Sequence, residues 1–342
     1  MVSAGSVHDA PVTSLSLDPA SIHEGENFMI ATASHDLTGR LIRVSLDADT
    51  GNRTLSTLAS LHLHTSPLSS IAYSRSGEHL LTASWDGLIG LWESQIPEED
   101  EIDVVEAQTE RRKRRRVDGR DTEPRPKRKV PSSVLKSHTA RVSKAVFSST
   151  GTAAFSCGFD STVRSWDVEN GVCTKTIVGP DFFLGTPFTV EQKNLIIVLP
   201  SPLRFAQTAS EKPMLSMAVL PDDNSVVSSS ADRSVSVYDF RTTSTTLSSA
   251  ILSFMHLSTP SSVALSPTSD SQIITGSYDG VARLWDLRST KSAVASFKAW
   301  DGEKKILAVD STSSSGTGIV SVGGEGGLEV WRVGEAAATT TA

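Results

Sequence analysis

Cysteine, aromatic side chains and long apolar runs are all scarce in this chain of 342 residues. Two cysteines, Cys157 and Cys173, are too few for a metal site of their own or for a disulfide framework. Cys157 falls in a strand-like run, so a buried thiol is the expectation there. The longest aliphatic run is LIIVL at 195–199, far too short to span a bilayer. The first residues carry no signal-like apolar stretch. Together these absences point to a soluble chain of a reducing compartment, with no membrane contact.

What is present is repetition. The stretch GSYDGVARLWDLR (276–288) has counterparts in ASWDGLIGLWE (83–93), SCGFDSTVRSWD (156–167), SADRSVSVYD (230–239) and GGEGGLEVW (323–331). A divergent copy is ASHDLTGRLIRV (33–44). Asp86, Asp160, Asp232 and Asp279 each stand six residues before an aromatic: Trp92, Trp166, Tyr238 and Trp285. Glu325 stands six before Trp331, while in the first copy Asp36 has a longer spacing and Val44 replaces the aromatic. From Val44 to Trp92 is 48 residues, from Tyr238 to Trp285 is 47, and from Trp285 to Trp331 is 46. The two middle intervals are 74 and 72, so those units carry insertions.

Each unit reads as four short strands. An alternating run such as SSIAYS (69–74) puts apolar side chains on one face. A local turn, a second strand such as HLLTAS (79–84), an Asp-containing hairpin turn and a third strand ending on the aromatic follow. A weaker fourth strand leads to the next unit. A period in the forties with a Trp-Asp signature is that of a WD-repeat propeller blade. The fold class expected is therefore all-β, a single WD40 β-propeller over residues 1–342 with two long inserted loops and small cores between stacked blades.

His64 and His138 each precede their Asp by 22 residues, and His256 precedes Asp279 by 23; His8 takes the same part for Asp36. In WD-repeat proteins the His, a Ser or Thr, the Asp and the Trp of a blade hydrogen-bond together, and the second, third and fifth units resemble that pattern. A buried carboxylate tolerates burial only when paired and hydrogen-bonded. The same residues resemble a hydrolase triad. A nucleophile is needed once, however, and a turn lock is needed in every blade. His64, Asp86, Trp92, His138, Asp160, Trp166, Asp232, Tyr238, His256, Asp279, Trp285 and Trp331 are therefore read as structural locks. GGEGG (323–327) lacks the spacing of a phosphate loop and is read as a turn. No catalytic residue, metal or cofactor is expected.

The first insertion spans 97–131. It opens acidic, PEEDEIDVVEAQTE, and turns basic at 111–129, where eleven Lys/Arg face three Asp/Glu. That stretch carries +8 in a chain of −7, leaving −15 for the rest. Such a segment buries too little apolar surface to order itself and is expected to be a disordered loop. Two clusters, Arg111, Arg112, Lys113, Arg114, Arg115 and Arg116, then Arg125, Lys127, Arg128 and Lys129, are spaced like a bipartite nuclear-import signal. The alternatives are weak, salt-sensitive contact with RNA phosphates or a merely solvated loop. The second insertion, about 183–210, has no Asp-turn signature; it reads as an added surface loop or as translated intron sequence. Residues 334–342 read as a disordered tail.

SCGFDSTVRSWDVENGVCTKTI, KPMLSMAVLPDDNSVVSSSADRSVSVYDFR and DGEKKILAVD followed by GGEGGLEVW, with the basic loop, resemble a fungal member of the Ytm-type ribosome-biogenesis proteins. That family supplies the WD-repeat subunit of the pescadillo complex. The resemblance implies a ubiquitin-like domain followed by a seven-bladed propeller, of which six blades are recognisable here. It implies that MVSAGSVHDAPVTSLSL is a seam into the second blade and that the ubiquitin-like domain and most of the first blade are absent. Either a strained six-blade ring or a seven-blade curvature with a gap then follows, and the gap is favoured because packing at each neighbour interface sets the inter-blade angle.

The same resemblance implies a non-catalytic scaffold for maturation of large-subunit rRNA and pre-60S particles, in nucleolus and nucleoplasm. Its partners would be the propeller of the block-of-proliferation subunit and pescadillo, with docking on the midasin ATPase lost. The alternatives are another WD-repeat adaptor, either a ubiquitin-ligase substrate receptor or a chromatin reader, and an RNA-binding protein acting through the basic loop. Arg332 stands where other units have Glu93, Asp167, Asp239 or Asp286. It reads as a partner for a carboxylate across an interface, or as an ordinary solvated arginine.

Overall fold

The computed structural model describes residues 8–21, 27–46, 53–101, 126–178, 212–241, 252–289, 292–300, 304–314 and 317–333. The second insertion, the basic residues Arg111–Arg116 and Arg125, and the tail 334–342 lie outside the described residues.

All the elements are strands, and they form six antiparallel meanders. The first holds β1 (Val12–Leu17), β2 (Asn27–Ser34), β3 (Gly39–Leu46) and β4 (Arg53–Leu61). The second holds β5 (Leu68–Tyr73), β6 (His79–Ser84), β7 (Leu88–Glu93) and β9 (Ser133–Lys136). The third is β10 (Val142–Phe147), β11 (Ala153–Gly158), β12 (Thr162–Asp167) and β13 (Val172–Val178). The fourth is β14 (Met214–Val219), β15 (Ser225–Ser230), β16 (Ser234–Asp239) and β17 (Leu252–Met255). The fifth is β18 (Pro260–Leu265), β19 (Gln272–Ser277), β20 (Val281–Asp286) and β21 (Ala295–Lys298). The sixth has three strands, β22 (Ile306–Ser314), β23 (Thr317–Gly324) and β24 (Gly327–Val333).

Second strands such as β6, β11 and β19 are buried almost along their whole length, so both faces of the sheet are covered and the sheets stack as blades. Five separate cores result, one between each successive pair. Ala31, Leu41 and Leu61 of the first blade meet Leu68, Ile71 and Trp92 of the second. Leu81 and Leu91 then meet Val142, Ala145 and Trp166 of the third, and the series ends with Ala264 and Ile274 of the fifth blade against Val309 and Val322 of the sixth. Cys157 in β11 is fully buried in the core between blades three and four, and burial pushes its thiol up to about 12. The inner strands β1, β5, β10, β14, β18 and β22 line one central channel of about 860 Å³.

Hydroxyls hook the inner strands together. A bulge at the start of each strand shifts the register, for example between Leu68 and Ser70 or between Pro260 and Ser262. At that bulge Thr13 donates to the Leu68 carbonyl (2.8 Å), Ser69 to Val142 (2.7 Å), Ser143 to Met214 (2.5 Å) and Ser261 to Ile306 (2.6 Å). The sixth blade has Leu307 there, 53% exposed. No comparable packing joins β22 back to β1. The face of β1 is uncovered as a result: Leu15 is 62% exposed, whereas Ile71 at the same place in the second blade is 3% exposed.

The ends of the first insertion are ordered, which corrects the expectation of a disordered loop over the whole of 97–131. β8 (Lys127–Lys129) runs parallel to β4 and extends the first sheet by pairing Ala59–Leu61. Asp100 and Glu101 clasp it: Arg128 N–H donates to Asp100, Glu101 N–H donates to the Arg128 carbonyl, and Val130 N–H donates to the Glu101 carboxylate. The physical reason is edge satisfaction. β4 is the outer strand of its sheet, and a short stretch with free N–H and C=O groups pairs with it. The insertion therefore interrupts the second blade, between its third and fourth strands.

Candidate functional site

The recurring polar set lies at the end of each blade where the second strand turns into the third. In the second blade Trp92 Nε1 donates to Thr82 Oγ1 (2.9 Å), Thr82 meets His64 Nε2 (2.8 Å), and His64 Nδ1 meets Asp86 (3.0 Å). The third blade repeats the chain: Trp166 Nε1 to Ser156 (2.8 Å), Ser156 with His138 Nε2 (2.7 Å), His138 Nδ1 with Asp160 (2.8 Å). The first blade has the same chain without the indole, His8 joining Asp36 (2.7 Å) and Thr32 (2.8 Å). The direction of the bonds follows from chemistry. Indole N–H only donates and a carboxylate only accepts, so the hydroxyl donates to Nε2 and the imidazole carries its proton on Nδ1.

Each carboxylate also ties its own turn. Asp86 accepts from the backbone N–H groups of Leu88 (2.9 Å) and Thr65 (3.1 Å), and Asp160 from those of Thr162 and Thr139 (both 3.2 Å). Burial alone would raise the Asp160 carboxyl. Its bonds from His138 and Thr162 outweigh that and hold it at about 2. Asp86 and Asp36 are lowered against burial in the same way.

The fifth blade departs from the expected lock. Trp285 still donates to Thr275 (3.0 Å), but His256 reaches neither Thr275 nor Asp279, and both its ring nitrogens are buried without a partner. Arg283 takes the carboxylate instead, Nη2 to Asp279 at 2.6 Å. A guanidinium fork outcompetes a neutral imidazole for a carboxylate because its hydrogen bonds are charge-assisted. Burial, then the neighbouring Arg283, pushes His256 down to about 4. Such arginines went unread in the sequence, although an Asp-x-x-x-Arg spacing recurs: Arg40 lies 3.7 Å from Asp36 and Arg164 3.4 Å from Asp160.

The fourth blade lacks a histidine. Asp232 holds Ser234 N–H (2.8 Å), Tyr238 is buried, and the Ser228 hydroxyl at the place of Thr82 has no partner. In the sixth blade the place of Thr82 is taken by Val322. Trp331 is only partly buried and packs on Phe297 of the fifth blade, ring centroids 5.8 Å apart, which corrects its reading as a sealed lock. Arg332 pairs with Ile319 in the β23–β24 ladder, and its side chain lies outside the described residues.

Lys127, Arg128 and Lys129 are brought together on β8. Lys129 is 2% exposed, its Nζ donating to the Gln95 carbonyl (2.5 Å) with Glu101 at 3.8 Å. This corrects its place in an accessible basic cluster, because that ammonium is already spent inside the fold. Among the described residues no group of three or more His, Cys, Asp or Glu side chains could hold a metal ion. No helix of the described residues is long and apolar enough to cross a membrane.

The hydrogen-bond chain is closed on a histidine in the first three blades and replaced or lost in the other three, a repeated arrangement that ties turns rather than a single centre. The chain is also similar to known proteins. The family model for the WD domain, G-beta repeat matches residues 55–93, 129–167, 203–239 and 250–286, each match ending on the residue after the lock aromatic. The ribosome biogenesis protein YTM1 of Laccaria bicolor is 48% identical over 96% of this chain. The chain belongs to the YTM1 family. The YTM1 protein of Coprinopsis cinerea is 44% identical over the same share, and that of Neosartorya fischeri 29% identical over 77% of the chain. The chain spans 66% of the length of the first two YTM1 relatives and 48% of the third.

Proposed function

We propose that this chain is a non-catalytic scaffold subunit in ribosome biogenesis, acting in maturation of large-subunit rRNA and assembly of pre-60S particles. The observation that carries the reading is the 48% identity over 96% of the chain to a protein named for ribosome biogenesis. The lock geometry supports the non-catalytic part. In the first three blades the hydroxyl–imidazole–carboxylate sets are closed on an indole or a backbone N–H, and their hydroxyls, Thr32, Thr82 and Ser156, are buried rather than presented to a substrate. On this reading the blades present surface to other proteins, the propeller of a block-of-proliferation-type subunit and, through it, pescadillo. The place of action is the nucleolus and nucleoplasm.

The test is replacement of the endogenous YTM1 protein in a basidiomycete by this chain carrying an affinity tag. The expected result is sedimentation with large-subunit precursor particles, and accumulation of unprocessed large-subunit rRNA when the chain is depleted. Sedimentation only at the top of the gradient, with normal rRNA processing after depletion, would refute the proposal.

A further inference from the structure

The end of the propeller that carries the Asp turns repeats one backbone bond in all six blades. In each blade the N–H of the residue at or beside the turn carboxylate donates to the carbonyl of the residue that opens the inner strand. His35 bonds Pro11 (3.1 Å), Trp85 bonds Pro67 (3.0 Å), Phe159 bonds Arg141 (2.8 Å), Ala231 bonds Pro213 (3.0 Å), Tyr278 bonds Thr259 (2.9 Å) and Glu325 bonds Lys305 (3.1 Å). The side chains these bonds hold are aromatic at four of the six places. Two of them, Trp85 and Tyr278, are partnered across blades by cations. Arg141 stacks over Trp85 at 4.5 Å with His35 on its flank at 5.2 Å, and Lys305 lies 5.7 Å from the Tyr278 ring. Phe159 and Tyr278 are 42% and 38% exposed, and Leu257, two residues before the Thr259 that holds Tyr278, is 84% exposed.

Exposed charge differs in balance between the two ends. Arg141, Lys212, Arg233, Lys304 and Lys305 are exposed at the Asp-turn end beside Asp9 and Glu325, of which Glu325 pairs with Lys305 at 3.7 Å, while the carboxylates of Asp36, Asp86, Asp160 and Asp279 are bound up in locks. The opposite end exposes Glu78, Glu169, Asp222 and Asp270 together with Arg75, Arg241 and Arg288. Cations therefore predominate at the Asp-turn end and are matched by carboxylates at the other, successive hairpin turns falling at alternate ends of a sheet.

We propose that the Asp-turn end docks an acidic polypeptide segment of a protein partner; this rests on the scaffold reading. Trp, Tyr and Arg are the residue types that carry most binding energy in protein interfaces. The six backbone bonds fix them in advance, so little ordering cost is left for binding. The exposed cations select carboxylates and repel a basic partner. Single-stranded RNA is the lesser fit. Base stacking needs open ring faces, and the largest ring here, Trp85, is already covered by Arg141. Leu257 offers a nucleic acid nothing.

The experiment places the photo-crosslinker p-benzoylphenylalanine in place of Phe159 or Tyr278 in the full chain, expressed in fungal cells, with Glu169 at the opposite end as control. The expected result is a nuclease-resistant adduct at 159 and 278 whose crosslinked peptide is rich in Asp and Glu. Its yield should fall about tenfold with Arg141→Glu plus Lys305→Glu, and less with Arg141→Gln plus Lys305→Gln, at unchanged urea midpoints. An adduct destroyed by ribonuclease, an adduct on a basic segment, an adduct indifferent to both pairs, or no adduct at 159 and 278 overturns the inference. Whether the crosslinked protein is a ribosome assembly factor decides the scaffold reading separately.

Discussion

His64 and His256 occupy the same place in two blades but do opposite things, and replacing each with phenylalanine separates them. The His64 ring joins Thr82 and Asp86. Its loss leaves a buried hydroxyl and a buried carboxylate each short of a partner, at about 1–3 kcal/mol apiece, so His64→Phe should cost about 2–6 kcal/mol. The His256 ring makes no hydrogen bond, and its neighbours Asp279 and Thr275 are satisfied by Arg283 and Trp285. His256→Phe therefore removes two orphaned nitrogens while keeping the ring contact with Trp285 at 5.1 Å. It should be neutral or stabilising by up to about 2 kcal/mol at pH 7. Equilibrium urea unfolding reads both: the midpoint should drop by roughly 1 M for His64→Phe and stay or rise for His256→Phe.

Acid adds a second signature. The folded-state value of His256 is about 4 against an ordinary 6.5, so the unfolded chain binds the extra proton first. Above pH 6.5 the ring is neutral in both states and adds no pH-dependent cost, and stability is lost as pH falls from there toward 4. The His256→Phe variant should lack that loss. His256→Leu is the companion variant if phenylalanine overfills the site. Equal midpoint losses for the His64 and His256 variants would refute the reasoning, since they would mean that His256 is a working lock.

Asp160 is held at about 2 against an ordinary 3.8, so its contribution is complete above pH 3.8 and disappears as pH falls through 2. Asp160→Asn should accordingly show a smaller drop in urea midpoint between pH 5 and pH 2.5 than the unaltered chain. Gly280 has φ +76° and a Cβ there would stand 2.6 Å from the Lys304 carbonyl, so Gly280→Ala should lose at least about 1 kcal/mol in the same assay. Arg233 holds a left-handed φ of 73° at the equivalent turn, so Arg233→Gly should be tolerated or gain a few tenths of a kcal/mol. Leu15→Ser should leave the midpoint within about 0.5 kcal/mol, while Ile71→Ser, buried at the matching place, should cost about 3 kcal/mol or more. Lys129→Met should free β8 from β4, read as faster cleavage by trypsin at Lys127 and Arg128.

The strand periods, the Asp turns and the blade count were legible in the sequence because each is a local pattern repeated at fixed spacing. Repetition also exposed the locks as structural, since His64, Asp86 and Trp92 recur as His138, Asp160 and Trp166. Competition between groups was not legible. Spacing alone made His256 equivalent to His64, and only packing shows Arg283 reaching Asp279 first. Composition made Lys127–Lys129 part of a solvated loop; the three-dimensional edge of β4, far away in sequence, pairs with them and buries the Lys129 ammonium. The exposure of β1 and the excess of cations at the Asp-turn end likewise emerge only on assembly. A repeat specifies what one blade looks like from its own residues, whereas hydrogen-bond partners, edge pairing and surface charge depend on which distant groups the stacked blades bring within reach.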